Sequence, residues 1–181
     1  MEPPLFLSGS SLSPLIPLEP ARKLSGPILG GELVLRADAV FIFTCGAASS
    51  KETGVVSARE EVMKYAHSHI TDAHFFEAEA IFKKLGDKRK KDLLSLEEEL
   101  AKFSDCILIF LESPGAQSEL GAFTMHDELA EIILAVNKEK YEGERSFISD
   151  GPIEKINKVS SFGEAIYTNF ESILTSMSTI K

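Results

Sequence analysis

Two glutamates bracket a tight turn in the stretch Cys106-Ile107-Leu108-Ile109-Phe110-Leu111-Glu112-Ser113-Pro114-Gly115-Ala116-Gln117-Ser118-Glu119-Leu120-Gly121-Ala122-Phe123. The apolar run from Cys106 to Leu111 has the character of a strand buried on both faces, as in parallel sheets. Ser113-Pro114-Gly115 then reads as a turn into a helix. Ligands of open α/β sheets bind at the carboxyl ends of the strands, so this turn stands where chemistry is expected. Glu119 is expected in the first helical turn, facing that edge and kept ionised by the helix amides; alternatively it only complements the helix dipole. Glu79 is a less secure third carboxylate for the same edge. Gly115 lets the backbone turn tightly, and Gly121 permits close approach of the helix to the strand or to a ligand.

Other chemistries find little support. No Ser-His-Asp or Cys-His arrangement competes with the carboxylates, and Gly46-Ala47-Ala48-Ser49-Ser50-Lys51 lacks the second glycine of a phosphate-binding P-loop. His67, His69, His74 and His126 form no set with metal-ligand spacing, so neither a metal nor a cofactor is expected. The net charge of −9 opposes non-specific attachment of the whole domain to nucleic acid. One local exception is Lys83, Lys84, Lys88, Arg89, Lys90 and Lys91, six of the nineteen basic residues, which reads either as a solvated loop or as a contact for nucleic acid or an acidic partner.

Elements able to position these groups are visible along the chain. Residues 1–37 hold six of the eight prolines and are expected to form an extended arm that docks on the domain or on another subunit, which would make a homo-oligomer. A single α/β domain is expected over 38–181, with strands near 39–44, 106–111 and 131–136 in a parallel sheet of four or five strands. Ser57-Ala58-Arg59-Glu60 has capping-box spacing and starts a helix over 57–68. Arg59 at that start can reach the sheet edge and hold a phosphate or carboxylate, or remain an exposed structural arginine. Thr71–Phe76 could form a strand, and Glu77–Phe82 a turn into a short helix. Leu93, Leu96, Leu100 and Phe103 mark a helix in which Glu97, Glu98 and Glu99 lie largely between the apolar positions. Further helices are expected over 117–129 and 163–177, with Asp150-Gly151-Pro152 as a turn between them.

Cys45 and Cys106 fall at opposite ends of parallel neighbours, so reduced thiols are expected rather than a disulfide. The opening residues have no positively charged leader, and no run approaches the ~18 apolar residues of a membrane helix. A soluble cytoplasmic protein is the expectation.

The combination of Ile42-Phe43-x-Cys45-Gly46, Ser104-Asp105 before a buried strand, and Glu112-Ser113-x-Gly115-x-x-x-Glu119-Leu120-Gly121-Ala122 resembles the nucleoside 2-deoxyribosyltransferase-like fold, a three-layer Rossmann-like sheet. More closely, Glu112 to Phe123 is similar to a phrase of the effector toxins of bacterial retron anti-phage systems. Tyr141, Ser146-Phe147-Ile148 and Gly151-Pro152-Ile153 extend the likeness, which spans about residues 38–160.

The resemblance implies an N-glycosidase whose nucleophile is Glu119, with Glu112 as the second catalytic carboxylate. It implies a substrate pocket drawn from Cys45, Gly46, Arg59, Glu79, Asp105, Ser113, Pro114, Gly115 and Gly121. Ser113-Pro114-Gly115-Ala116 replaces the Asp-x-Gly-Thr usual before the family's glutamate, a departure from the motif of classical base exchange that leaves hydrolysis and transfer both open. A carboxylate beside the anomeric carbon can form a sugar ester, as in retaining glycosidases. NAD carries a cationic leaving group that needs little acid help, whereas a neutral base would need a proton from Glu112 or Asp105. The implied partner is a retron reverse transcriptase carrying its small msDNA, and longer relatives are expected to hold a further carboxyl-terminal region. The alternative is a non-catalytic module that holds a nucleotide or bridges the reverse transcriptase and its DNA.

Overall fold

The computed structural model describes residues 23–24, 33–34, 40–49, 57–85 and 92–173. Within the proline-rich arm, β1 (Lys23–Leu24) and β2 (Leu33–Val34) pair antiparallel. The main sheet is built from β3 (Val40–Cys45), β4 (Ala73–Phe76), β5 (Cys106–Phe110), β6 (Ile133–Lys138) and β7 (Ile166–Thr168). Its five strands are all parallel, in the order β4-β3-β5-β6-β7. The apolar runs explain the three central strands, since a strand covered on both faces has no polar side to alternate with.

Period two along the strands divides the core. Phe43, Cys45, Ile107, Ile109, Ile133 and Ala135 project to one face. There they meet α2 (Ala78–Leu85), α3 (Leu93–Phe103), α4 (Pro114–Thr124), α5 (Asp127–Ala130) and α6 (Glu154–Val159). Phe110 and Val136 project to the other face, against α1 (Ala58–His69) and Ile173. The register pairs Ile42 with Cys106 and Cys45 with Ile109, so the two cysteines lie at opposite ends of adjacent strands; both are buried free thiols.

Ser57 caps α1, its Oγ accepting from the Glu60 amide at 3.2 Å, while the Ser57 amide donates to Ser49 Oγ at 3.0 Å rather than to Glu60. Half of the capping box is therefore made by a loop serine. The helix expected over 117–129 begins earlier and breaks. Ser113 caps it and Pro114 takes the first helical position, where its missing N–H costs nothing. Near its end the Thr124 hydroxyl donates to the Leu120 and Gly121 carbonyls, and α5 restarts after an extended His126.

The carboxyl-terminal third differs most from the sequence expectation. Asp150-Gly151-Pro152 lies inside a π-helical turn, Ser149–Ile153, that runs directly into α6. That wider turn accommodates the proline, and Pro152 and Ile153 are buried. Ile166-Tyr167-Thr168, expected as helix, is the edge strand β7, paired with Val136-Asn137-Lys138. A β-branched and aromatic triplet beside an unpaired strand gains ladder hydrogen bonds that a helix would forgo. Phe170–Ser172 forms a single 3-10 turn, and positions 174–177 of the expected helix lie outside the described residues. Strand β6 is also displaced: Glu131 and Ile132 are turn, and the strand runs on through Asn137 and Lys138, carrying polar residues to the carboxyl edge.

Candidate active site

The carboxyl edge of the sheet divides into two carboxylate environments. On one side, Glu112 follows β5 and turns toward the start of α1. Its Oε2 accepts from the Ala58 amide at 2.9 Å, and its Oε1 accepts from the amides of Ala47 at 3.1 Å and Arg59 at 3.3 Å. Ala58 and Arg59 offer N-terminal amides that α1 cannot satisfy itself and Ala47 offers one from the loop after β3, so Glu112 takes the position an anionic ligand would otherwise occupy. Gly46 is required here by close approach. A Cβ on it would stand 2.9 Å from Arg59 Cβ and 3.0 Å from Glu112 Oε1.

Arg59 spans the edge. Its side chain is 7% exposed, and Nη1 lies 3.0 Å from Glu79 Oε1 and 3.2 Å from Oε2. Nη2 reaches Glu77 Oε2 at 3.5 Å, while the buried Nε has no partner. Arg59 is not the exposed arginine of one sequence reading: it is buried and holds the chain's own Glu79, in the first turn of α2.

On the other side stands Glu119. It occupies the second turn of α4, because the helix starts at Pro114, and so it lies beyond the free amides that were expected to keep it ionised. Burial pushes its carboxyl above the usual range; the Cys45 thiol, hydrogen-bonded to it, opposes that rise, nearby Glu79 adds to it, and Arg59 opposes it. Oε2 is buried without a hydrogen-bond partner. Cys45, the last residue of β3, has its thiol held well above the ordinary range by burial first and then by the charge of Glu119.

Glu97 joins this group from α3. Burial, and then the charges of Glu119 and Glu79, raise its carboxyl to about 7. The signal for it was present in the sequence: Glu97 is four residues after Leu93 and three before Leu100, on the stripe that places Leu96, Leu100 and Ala101 in the core. Its neighbour Glu98 instead pairs with Lys102 on the solvent side.

The structure thus brings Glu119, Cys45, Arg59 and Glu79 together and adds Glu97 and Glu77. Glu112 is not among the charges acting on Glu119. Asp105 is a correction: it precedes β5 at the amino edge of the sheet, where its Oδ2 accepts from the Phe41 amide at 2.9 Å and ties two strands together. Ser113 and Pro114 are occupied as helix cap and first residue. Neither Gly115 nor Gly121 has positive φ, and a Cβ on Gly121 would meet nothing within 4 Å, so protein packing does not require glycine there. Among the described residues no group of three His, Cys, Asp or Glu is placed to hold a metal ion.

Two clefts open along the same edge, away from Glu119. One, of 510 Å³, lies between α1 and the ends of β6 and β7; Glu61, Glu112, Glu139 and Glu171 line it with Lys138 and Lys140, so acids outnumber bases there. The other, of 230 Å³, is lined by Gln117, Asn137, Tyr141, Ser146 and Ser149. Hydrogen-bonding volume is therefore available beside α4, whereas the unpartnered carboxylate stands with Cys45, Arg59 and Glu97.

A five-strand, all-parallel sheet flanked by helices, with carboxylates at its carboxyl edge, defines an α/β protein. The chain belongs to the STM3845 retron effector protein family, whose model matches residues 55–181. It is similar to two Escherichia coli proteins. The "Retron Ec73 putative ribosyltransferase/DNA-binding protein" is 39% identical over 124 residues, covering 66% of this chain and 39% of that protein. The "Retron Ec86 putative ribosyltransferase/DNA-binding protein" is 32% identical over 123 residues, covering 67% and 39%. The chain thus matches about two fifths of the length of these relatives. No helix among the described residues is long and apolar enough to cross a membrane.

Proposed function

We propose that this chain carries the N-glycosidic site of a retron anti-phage effector toxin of the nucleoside deoxyribosyltransferase-like type, cleaving a nucleotide such as NAD or a nucleoside. The observation that supports the reading most is the partnerless, buried Oε2 of Glu119, beside a thiol that hydrogen-bonds the same side chain. A carboxylate oxygen with no donor keeps its lone pairs for an electrophile. In the reaction, that oxygen attacks the anomeric carbon and the C–N bond breaks, its electron pair leaving with the base. Water then displaces the sugar from Glu119. The words putative ribosyltransferase in the relatives' names agree with a sugar-transfer site.

The test is incubation of purified protein with NAD and a panel of nucleosides and nucleotides, with released base measured by chromatography. Base release that disappears in Glu119→Gln supports the reading. Release that persists in that variant removes Glu119 from the chemistry.

A second reading, a non-catalytic module contacting a reverse transcriptase and its msDNA, draws on the basic run. Lys83 and Lys84 end α2 and are exposed, while Lys88 to Lys91 lie outside the described residues. Phosphate neutralisation by several lysines gives salt-dependent binding. Charge reversal at Lys83, Lys84 and Lys88 that leaves complex formation unchanged at every salt concentration would remove this surface from the interface.

A further inference from the structure

Strand β6 runs past its apolar part and ends on Asn137 and Lys138. Alternation along the strand turns Asn137 to the same face as Ile133 and Ala135, the face that α4 covers. Asn137 is only 4% exposed, so a polar side chain is buried at the carboxyl edge of the sheet. Its Oδ1 accepts from the Lys138 amide at 2.8 Å, which fixes which end of the side-chain amide is oxygen. Among the described residues its Nδ2 donates to nothing, and the side chain lines the 230 Å³ cleft beside Gln117. Buried amide donors are nearly always paired, so one left free on open volume marks a place for an acceptor from outside the chain.

The rest of the cleft narrows what that acceptor belongs to. None of its lining residues is Lys or Arg, and Glu144 is the one charged residue among them, so a phosphate or carboxylate finds no counter-charge. Leu111 and Ile148 give apolar walls, while Gln117, Tyr141 and two serines give neutral donors and acceptors. The serines are held in place: Ser146 Oγ and Ser149 Oγ are 3.0 Å apart, and the Ser149 amide donates to Ser146 Oγ at 3.1 Å. Ser149 also opens the π-helical turn that ends on the buried Ile153, which anchors this wall. Phe147, between Ser146 and Ile148, is 82% exposed. An aromatic face left in water beside a neutral polar cleft suits stacking by a flat ring. The 230 Å³ is below the roughly 300–1,000 Å³ that encloses a drug-sized ligand, so the cleft has room for a single ring system and not for a dinucleotide.

We propose that this cleft is a base-binding site, taking an uncharged aromatic ring whose edge acceptor meets Asn137 Nδ2 and whose face meets Phe147. Adenine and nicotinamide share that chemistry. The site goes beyond the N-glycosidic reading, because it holds a ring whether or not Glu119 breaks a bond.

The test titrates the whole chain separately with adenine, nicotinamide and D-ribose, followed through the side-chain amide resonances of Asn137 in isotope-labelled protein. At least one ring should shift those resonances to saturation, and the tighter-binding ring names the source; D-ribose should leave them in place. Asn137→Asp keeps the acceptor for the Lys138 amide and exchanges only the NH2 for an oxygen, so affinity for the ring should fall about tenfold or more. Phe147→Ala, at an exposed position, should weaken it several-fold. The resonances of the unmodified protein need no variant, so a misfolded Asn137→Asp does not end the test. No saturable shift with either ring, a D-ribose shift to match the ring's, or unchanged ring affinity in a folded Asn137→Asp would overturn the site. Base release that depends on Glu119 while the Asn137 resonances stay still would keep the N-glycosidic reading and remove this site. Ring binding at Asn137 without base release from any substrate would do the reverse.

Discussion

Glu112 and Glu119 leave the same strand-turn-helix unit but live in opposite surroundings. Glu112 is met by three backbone amides, while Glu119 is met by a thiol, with one oxygen left alone. The first arrangement supplies what a carboxylate wants from water and makes Glu112 a brace between β5, the loop after β3 and the start of α1. The second withholds it from one oxygen of Glu119. The number of donors, more than the position on the sheet edge, separates the two acids.

Exchange of each glutamate for glutamine gives the largest contrast. Glu119→Gln removes the charge that would stabilise an oxocarbenium-like state, so base release should fall by about 10² or more. Its unfolding midpoint in urea should hold or rise, because a buried carboxyl short of donors is replaced by a neutral amide. Glu112→Gln should reverse the pattern. Its NH2 group must face an N–H of the loop or of α1, leaving a donor unpaired, and stability should fall by about 1–3 kcal/mol. A Glu112→Gln protein of unchanged midpoint and abolished base release would exchange the roles assigned to the two residues.

Gly46→Ala probes the brace without touching a charge. Its Cβ would press on Arg59 Cβ at 2.9 Å and on Glu112 Oε1 at 3.0 Å, and one contact is close to a backbone-fixed atom. A loss of about 1–3 kcal/mol is expected, the range for overpacking a tight site. Calorimetry would also show whether the change couples to Glu112→Gln. The double variant should be less destabilised than the sum of the single ones, because both disturb one cluster.

The Glu119 side has a pH signature of its own. Burial raises the carboxyls of Glu97, to about 7, and of Glu119 above their ordinary values. Their protonated forms are therefore favoured in the folded protein, and the stability they contribute is fully present below the unfolded value of about 4.3. It is lost as pH rises through about 7. The melting temperature should fall between roughly pH 5 and 8, and Glu97→Gln should flatten that slope. An equal slope in the variant would place the titrating group elsewhere.

The same contrast marks what the sequence makes legible. The central strands announce themselves because β3, β5 and β6 are continuous apolar runs, and their parallel order follows from the helices between them. The edge strand Ile166–Thr168 does not, because three residues cannot show a period and their pairing depends on where β6 ends. At the site, Glu119 stands out by its turn, and Arg59 by the helix start it shares with Ser57. For Glu112 the sequence shows its place on the edge but not the three amides that fold onto it from 53 to 65 residues away. Glu97 was hidden in a run of three acids whose solvent-facing members set the impression.

The smallest effect concerns Gly121, two residues beyond Glu119 on α4. Glycine inside a helix lowers stability by about 0.5–1 kcal/mol relative to alanine, and here φ is not positive and an added Cβ meets nothing within 4 Å. Protein packing therefore gives no reason for glycine, and Gly121→Ala should stabilise the fold by about that amount. The informative quantity is what happens to base release at the same time. If substrate lies only against the Glu97 and Cys45 side, KM should stay unchanged as the midpoint rises. If the open space over Gly121 is where the sugar or base rests, the added methyl should raise KM several-fold while stability still increases, and the pocket would extend along α4 toward the Gln117 cleft.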